Sequence, residues 1–297
     1  MTSRKLTPAA AFAVGTLGIA IFSCMDAMMK GLALDIGAYN ALLWRSFVTI
    51  AIAGALYLPR RPAMPAPRVM RLHTARAVVS AAMAVLFFWG LARIPMAQAI
   101  ALAFIAPLIA LFLAAVFLKE RIGRATFVAS GIAFAGVLTV MAGQARADMG
   151  HDAFLGAMAV LASAVCYACN LVLMRAQSLV ASPVEATFWQ SLIISICYAL
   201  AAPWFAHVPE VGHAPMLVLA ALFATVSLLL LSWAYAHGEA SYLVPTEYTA
   251  FVWASLLGWL VFREALSPWT LAGAALIVGG CIIAARIKPL PLKEPIA

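Results

Sequence analysis

ARIPMAQAIALAFIAPLIALFLAAVFLKE, residues 92–120, and AHGEASYLVPTEYTAFVWASLLGWLVFRE, residues 236–264, follow one plan. Each opens on a short polar break, crosses a long apolar run and closes on a basic–acidic pair, Lys119-Glu120 and Arg263-Glu264. The offset is 264 − 120 = 144 residues, without a gap. The same offset pairs Trp89 with Trp233, Ala106 with Ala250, Gly136 with Gly280 and Asp26 with Asn170. At offset 145, Trp44-Arg45-Ser46 meets Trp189-Gln190-Ser191, so one residue is inserted early in the second copy. The chain therefore reads as two repeats, 1–148 and 149–297, together forming one membrane domain.

The material between the repeat landmarks sets the fold class. Of 297 residues, 66% are hydrophobic and 10% charged, with a mean hydropathy of +1.02. The apolar residues fill runs of about 20, the length that spans hydrocarbon as helix. Lipid offers no partner to a bare backbone, which leaves helices or a closed barrel. Period-2 alternation is absent, so a barrel is excluded. The expected class is an all-α membrane protein with ten transmembrane helices, near 10–30, 38–58, 74–92, 96–118, 124–141, 153–174, 184–206, 214–236, 241–262 and 269–286. Five helices per repeat is an odd number. The second copy must then enter the membrane inverted, giving two inverted five-helix repeats around a central cavity, a transporter architecture.

The net charge of +8 is a topology signal. With the N-terminus inside, cytoplasmic segments hold 14 of the 19 basic residues, among them Arg4, Arg60, Arg68, Arg71, Arg76, Arg175 and Arg286. Lys30, Arg93, Arg146 and Arg263 fall on the other face, and Arg45 within a helix. This bias places both termini in the cytoplasm, as in a multi-pass protein of a bacterial inner membrane. It gives no reason to expect nucleic acid as a partner. The first apolar run is read as a helix rather than a signal peptide, because it continues to Lys30, carries Asp26 and has a counterpart later. The five cysteines read as packing residues; Cys166-x-x-Cys169 lacks further ligands at zinc spacing, so no metal or cofactor is expected.

The helix ends at Phe117-Leu-Lys-Glu120-Arg121 and Val261-Phe-Arg-Glu264, with Ile94-Pro-Met-Ala97, the Ala-Pro107 step and the ten-helix repeat, resemble the drug/metabolite transporter superfamily, specifically its EamA-type members. The resemblance covers nearly the whole chain. It implies a basket of two inverted repeats around a cavity lined mainly by helices one, three, four, six, eight and nine. It implies substrates such as amino acids, purines, riboflavin or sugar conjugates, and the fold does not choose among them.

Polar groups inside spans are costly and are candidate site residues. Asp26 and Arg45 lie at similar depth in oppositely running helices, which suits a charge pair acting as a brace or an outer gate. Their repeat equivalents are the amides Asn170 and Gln190. Glu247 follows Pro245 near the start of helix nine, where a proline break suits a cavity wall, as does Pro107 in helix four. The repeat equivalent of Glu247 is Ala103, so symmetry does not demand a carboxylate. Glu247 is suited to bind a substrate amine or take up a proton; the alternative is a carboxyl bonded to neighbouring helices. Tyr248, Tyr167, Trp89 and Trp233 are aromatic candidates for stacking on a planar ligand, and interfacial anchoring explains the tryptophans equally well. Gln98 and Tyr242 begin helices four and nine at opposite faces. The five histidines are expected in loops or at helix ends, and Glu120 and Glu264 in structural roles.

The function expected is a secondary transporter, not an enzyme. It would move a small organic metabolite, an amino acid or an amine-bearing or planar derivative, by alternating access, with proton linkage one option. A lipid-linked substrate flippase or a membrane-embedded lipid enzyme is the alternative; the enzyme would need His, Asp or Glu clustered near an interface. Partners are the small-molecule substrate and membrane lipid, and the chain acts as monomer or homodimer. No G-x-x-x-x-G-K-[ST] is present to power an ATP-driven pump.

Overall fold

A computed structural model describes residues 8–60, 64–106, 108–110, 112–113, 124–146, 150–178, 180–237 and 240–286. The described residues hold ten helices of eight residues or more: α1 (Pro8–Asp35), α2 (Ala38–Tyr57), α3 (Pro67–Leu91), α4 (Met96–Ala103), α5 (Arg124–Arg146), α6 (Gly150–Ser178), α7 (Pro183–Phe205), α8 (Ala214–His237), α9 (Ala240–Phe262) and α10 (Pro268–Arg286). Six of these are long and apolar enough to cross a membrane. The protein is all-helical and multi-pass.

Local chemistry explains the boundaries. Proline opens α3, α7 and α10, where its fixed φ suits the first turn and no donor is lost. Ser182 caps α7 by accepting the Glu185 backbone N–H at 3.3 Å. Gly37, at φ 81°, makes the turn from α1 into α2.

Two expectations need correction. The third helix begins at Pro67, two turns earlier than its apolar run at 74 suggests. Arg68, Arg71 and His73 therefore lie on helix, and His73 is fully buried instead of sitting in a loop. The fourth helix is not continuous: α4 closes at Ala103, residues 104–105 form a turn, and helix resumes beyond it. A proline at 107 clashes with the carbonyl at 103 and removes a donor, so the break falls where the chemistry requires it. Pro107 itself, Glu120 and the rest of 114–123 lie outside the described residues.

The packing is pairwise. α1 lies against α8 and α9, α3 against α6 and α7, α2 against α7, and α5 against α10, while α4 bridges α9 and α6. Lipid is as apolar as the side chains, so association depends on close fit. Glycine supplies that fit at two crossings. A Cβ on Gly90 would lie 2.5 Å from the Gly156 carbonyl oxygen, and one on Gly136 would lie 2.6 Å from the Gly273 carbonyl oxygen. Outward stripes such as Leu219, Leu222, Val226 and Leu229 of α8 are exposed and apolar, the surface that hydrocarbon covers.

The start of α1, the end of α6 and the starts of α3, α7 and α9 meet at one end of the bundle, termed the near end. The ends of α1, α3 and α9 and the starts of α2 and α4 meet at the far end.

Candidate functional site

The far end holds a charge cluster that the sequence did not reveal. Lys30 is buried in α1 and ion-pairs with Glu264, just past the end of α9. Its Nζ also donates to the Ile94 carbonyl at 2.7 Å and lies 5.2 Å from the centre of the Phe262 ring. The second carboxylate oxygen of Glu264 accepts the Met96 backbone N–H at 2.8 Å, capping α4 with negative charge at the positive end of its dipole. A left-handed turn aims the carboxylate: Arg263 has φ 58°, its N–H bonds to the Trp259 carbonyl, and the Glu264 N–H bonds to the Gly258 carbonyl. The carboxylate then folds over Gly258, where a Cβ would come within 2.5 Å of it.

Asp26 and Arg45 lie one layer deeper. Asp26 is only 3% exposed. The two interact electrostatically but form no direct salt bridge among the described residues. The Arg45 guanidinium instead donates to the Met25 sulfur at 3.2 Å and sits over the Phe88 ring, 5.6 Å from its centre. It also lines a small cavity with Thr49, Ser191 and Tyr198.

Glu247 and Tyr167 define the near half of the bundle. Seven or eleven residues return a helix to almost the same face. Glu247 thus shares a face of α9 with Ala254 and Gly258, both buried, while the exposed apolar stripe of Val252, Leu256, Trp259 and Leu260 lies on the opposite side. Glu247 is nevertheless exposed. The same holds for α6: Tyr167, 39% exposed, stands above buried Val160 and Ala164 and opposite exposed Met158 and Val165. Met174, seven residues on, is also exposed on that inward face. Tyr167 of α6 and Glu247 of α9 interact electrostatically.

Beside it runs a polar chain. Arg76 of α3 donates from Nε to Asn170 Oδ1 at 3.1 Å and from Nη1 to Gln177 Oε1. The Gln177 amide meets His73 Nδ1, and His73 Nε2 meets Glu185 at 3.2 Å. Arg76 lies inside the third helix as read from the sequence, but it counts there among the cytoplasmic charges; His73 is the residue placed off the helix by reading α3 as starting too late. Pro67, a good first-turn residue, was the available signal. Lys30 follows Asp26 by four residues, which places both on one face. That spacing was the signal for an intramembrane lysine.

The remaining candidates separate. Tyr248 has its ring edge-on to Phe104, just past the end of α4, at 5.4 Å. Trp89 lies at the far end, with the Arg93 guanidinium stacked 3.5 Å from its ring centre, in a groove shared with Trp204, Phe205 and His207. Trp233 lies at the near end, packed with Phe12, Val14 and the buried Ala11–Ala234 contact. Gln98 is buried in α4. α9 is helical on both sides of Pro245. Among the described residues, no group of three or more His, Cys, Asp or Glu is placed to hold a metal.

Comparison with known proteins gives a consistent picture. The profile of the EamA-like transporter family matches residues 9–142 and again 154–286. A pseudopaline exporter of Pseudomonas aeruginosa is 27% identical over 90% of this chain and 93% of its own. A riboflavin transporter of Rhizobium johnstonii is 28% identical over 75% of this chain and 72% of its own. A solved structure, described as a crystal structure of protein, superposes with a TM-score of 0.62 at 20% identity, covering 94% of this chain and 99% of that one.

Proposed function

Since the chain belongs to the EamA-like transporter family and is a multi-pass membrane transporter of small molecules, we propose that it moves an amine-bearing or planar organic metabolite by alternating access through the vestibule between α6 and α9. The observation that carries this reading is Glu247: a carboxylate on the inward face of a span, exposed, and facing Tyr167. A carboxylate pairs with an ammonium group, and a phenol beside it gives an aromatic surface for a ring or cation.

The two-repeat arrangement is part of the proposal. It is supported by the packing, in which α1 lies on α8 and α9 as α6 lies on α3 and α4. The repeats are 1–148 and 149–297. The near end is cytoplasmic, because the basic residues gather there. In this conformation the vestibule opens to the near end, and the Lys30–Glu264 pair closes the far end. Transport requires that pair to part as α1 and α9 separate from the start of α4. Asp26 and Arg45, a layer below, would then meet the arriving or leaving solute. Proton linkage is a second role for Glu247, since a carboxylate that alternates between a substrate amine and a proton couples the two.

Counterflow in proteoliposomes tests the proposal. Amine-bearing and planar solutes are offered with and without a pH gradient. Saturable accumulation that Glu247→Gln lowers at least tenfold supports it. A pH-gradient response in wild type that Glu247→Gln loses adds proton linkage. Lipid scrambling without solute accumulation would replace it with a flippase.

A further inference from the structure

His73 of α3 has no exposed surface, yet both of its ring nitrogens are committed. Nδ1 meets the amide nitrogen of Gln177, in the last turn of α6. Nε2 meets the carboxylate of Glu185, in the first turn of α7, at 3.2 Å. Gln177 is itself only 1% exposed, and its amide oxygen accepts from Arg76 Nη1. Arg76 decides where each proton sits. A guanidinium only donates, so the Gln177 oxygen must be the atom that faces it. The Gln177 NH2 then faces His73, and Nδ1 must accept. The ring proton is left on Nε2, where the Glu185 carboxylate accepts it. The chain is complete with a neutral imidazole, and with that tautomer alone.

A second proton on the ring breaks this parity. It must sit on Nδ1, where it meets the Gln177 NH2, donor against donor. Turning the Gln177 amide over brings its oxygen to Nδ1 but sets its NH2 against Arg76, again donor against donor. One contact between α3 and α6 is therefore lost whichever way the amide faces, while the charged ring gains an ion pair with Glu185 on α7. The ring is sealed from water, so the proton reaches Nδ1 only as the amide swings away. Among the described residues, Arg76 and Glu185 are the charged groups in contact with this chain. Arg68 and Arg71 of α3 are exposed, and α2 brings to this end the phenol of Tyr57, stacked on Phe188. Arg45 of α2 and the charged residues of α1 lie in the far halves of their helices, and α4 carries none. Arg175 stands two positions from Gln177, off its face of α6. Cys169 and Tyr167 of α6 lie about 12 Å or more further in. We propose that His73 is a proton-operated latch, which holds the end of α6 to α3 when neutral and shifts its hold to α7 when charged. The compartment whose pH it reads follows from placing the near end in the cytoplasm; the identity of the solute plays no part.

The test uses full-length protein in proteoliposomes between about pH 8 and about pH 5, the range in which an imidazole changes charge. Nitrogen NMR of isotopically labelled histidine follows the ring, the His73 signal being the one missing from His73→Gln. Spin labels at Thr74→Cys of α3 and Ala176→Cys of α6, both exposed positions, report the distance between the two helices in a cysteine-free background. The expected result at high pH is one ring proton, on Nε2, and a single distance. At low pH the ring carries two protons and a second, longer distance appears. His73→Gln, whose amide accepts from Gln177 and donates to Glu185 without titrating, should give the single short distance at both ends of the range. Gln177→Glu supplies two acceptors, one for Arg76 and one for a charged ring, and should also hold the short distance throughout. A His73 that stays neutral to the bottom of the range overturns the latch. So does a doubly protonated His73 with an unchanged distance; neither outcome needs a substitution of His73 or Gln177 to alter the chain. A low-pH lengthening that persists in His73→Gln assigns the response to another group and overturns it too. No solute enters these measurements, so each failure leaves the carrier reading standing.

Discussion

Lys30 and Glu264 stand 234 residues apart in the sequence and form a mostly buried ion pair that joins α1, the end of α9 and the capped start of α4. The contact lies at the far end of the bundle. It is held by a left-handed residue, Arg263, and by the missing side chain of Gly258.

Removing one partner of this pair should cost about 3 kcal/mol, because a charge is left buried without compensation. Glu264→Gln should lower the thermal unfolding midpoint of detergent-solubilised protein. Lys30→Met in the same chain should recover much of the loss, since the orphaned cation is gone. A double-mutant cycle with no coupling between the two positions would show that the pair is not formed in the folded protein.

The glycine crossings give a prediction with an internal control. Gly136→Val should destabilise by about 1–3 kcal/mol through overpacking of α5 on α10. Gly131→Ala, on the same helix but with open space around its Cβ position, should be neutral or slightly stabilising. Unfolding midpoints of the two variants side by side decide the matter, and equal midpoints would count against the helix contact described.

The vestibule should be wet. In a cysteine-free background, Tyr167→Cys and Met174→Cys should react with a membrane-impermeant maleimide added from the cytoplasmic side. Val252→Cys and Trp259→Cys, on the lipid stripe of α9, should react at least tenfold more slowly. Equal rates at all four positions would mean that Glu247 does not face an internal space.

Glu247→Gln preserves shape and removes the charge. It should leave the unfolding midpoint within about 1 kcal/mol of wild type and lower counterflow of amine-bearing solutes at least tenfold, a loss that corresponds to about 1.4 kcal/mol. Gly258→Ala should act in the opposite way, lowering stability through the Glu264 carboxylate while sparing solute binding at the near end. If the two variants gave the same phenotype, the separation between closure and binding site would be lost.

Helix number, membrane class and family were legible in the sequence because they depend on local quantities. Apolar run length sets a span, and the paired stretches at 92–120 and 236–264 need only alignment to be seen. The turn at 104–105 could be expected from Pro107, a rule of backbone sterics. Glu247 and Tyr167 could be nominated, since a polar group within a span is conspicuous. The start of α3 was less legible, because its first turns carry Arg68, Arg71 and His73 and so resemble a loop. That one boundary hid His73 and the polar chain it forms with Gln177 and Glu185.

The sequence by itself determined that this chain is an all-helical, multi-pass membrane protein, because hydrocarbon thickness and backbone satisfaction act on each segment separately. Only the tertiary structure decided which charges meet: Lys30 with Glu264 across 234 residues, Arg76 with Asn170 across 94, and Arg45 with the Met25 sulfur rather than directly with Asp26. Partners of this kind depend on helix rotation and crossing, which a run of apolar residues facing lipid on one side and protein on the other leaves open until the helices pack.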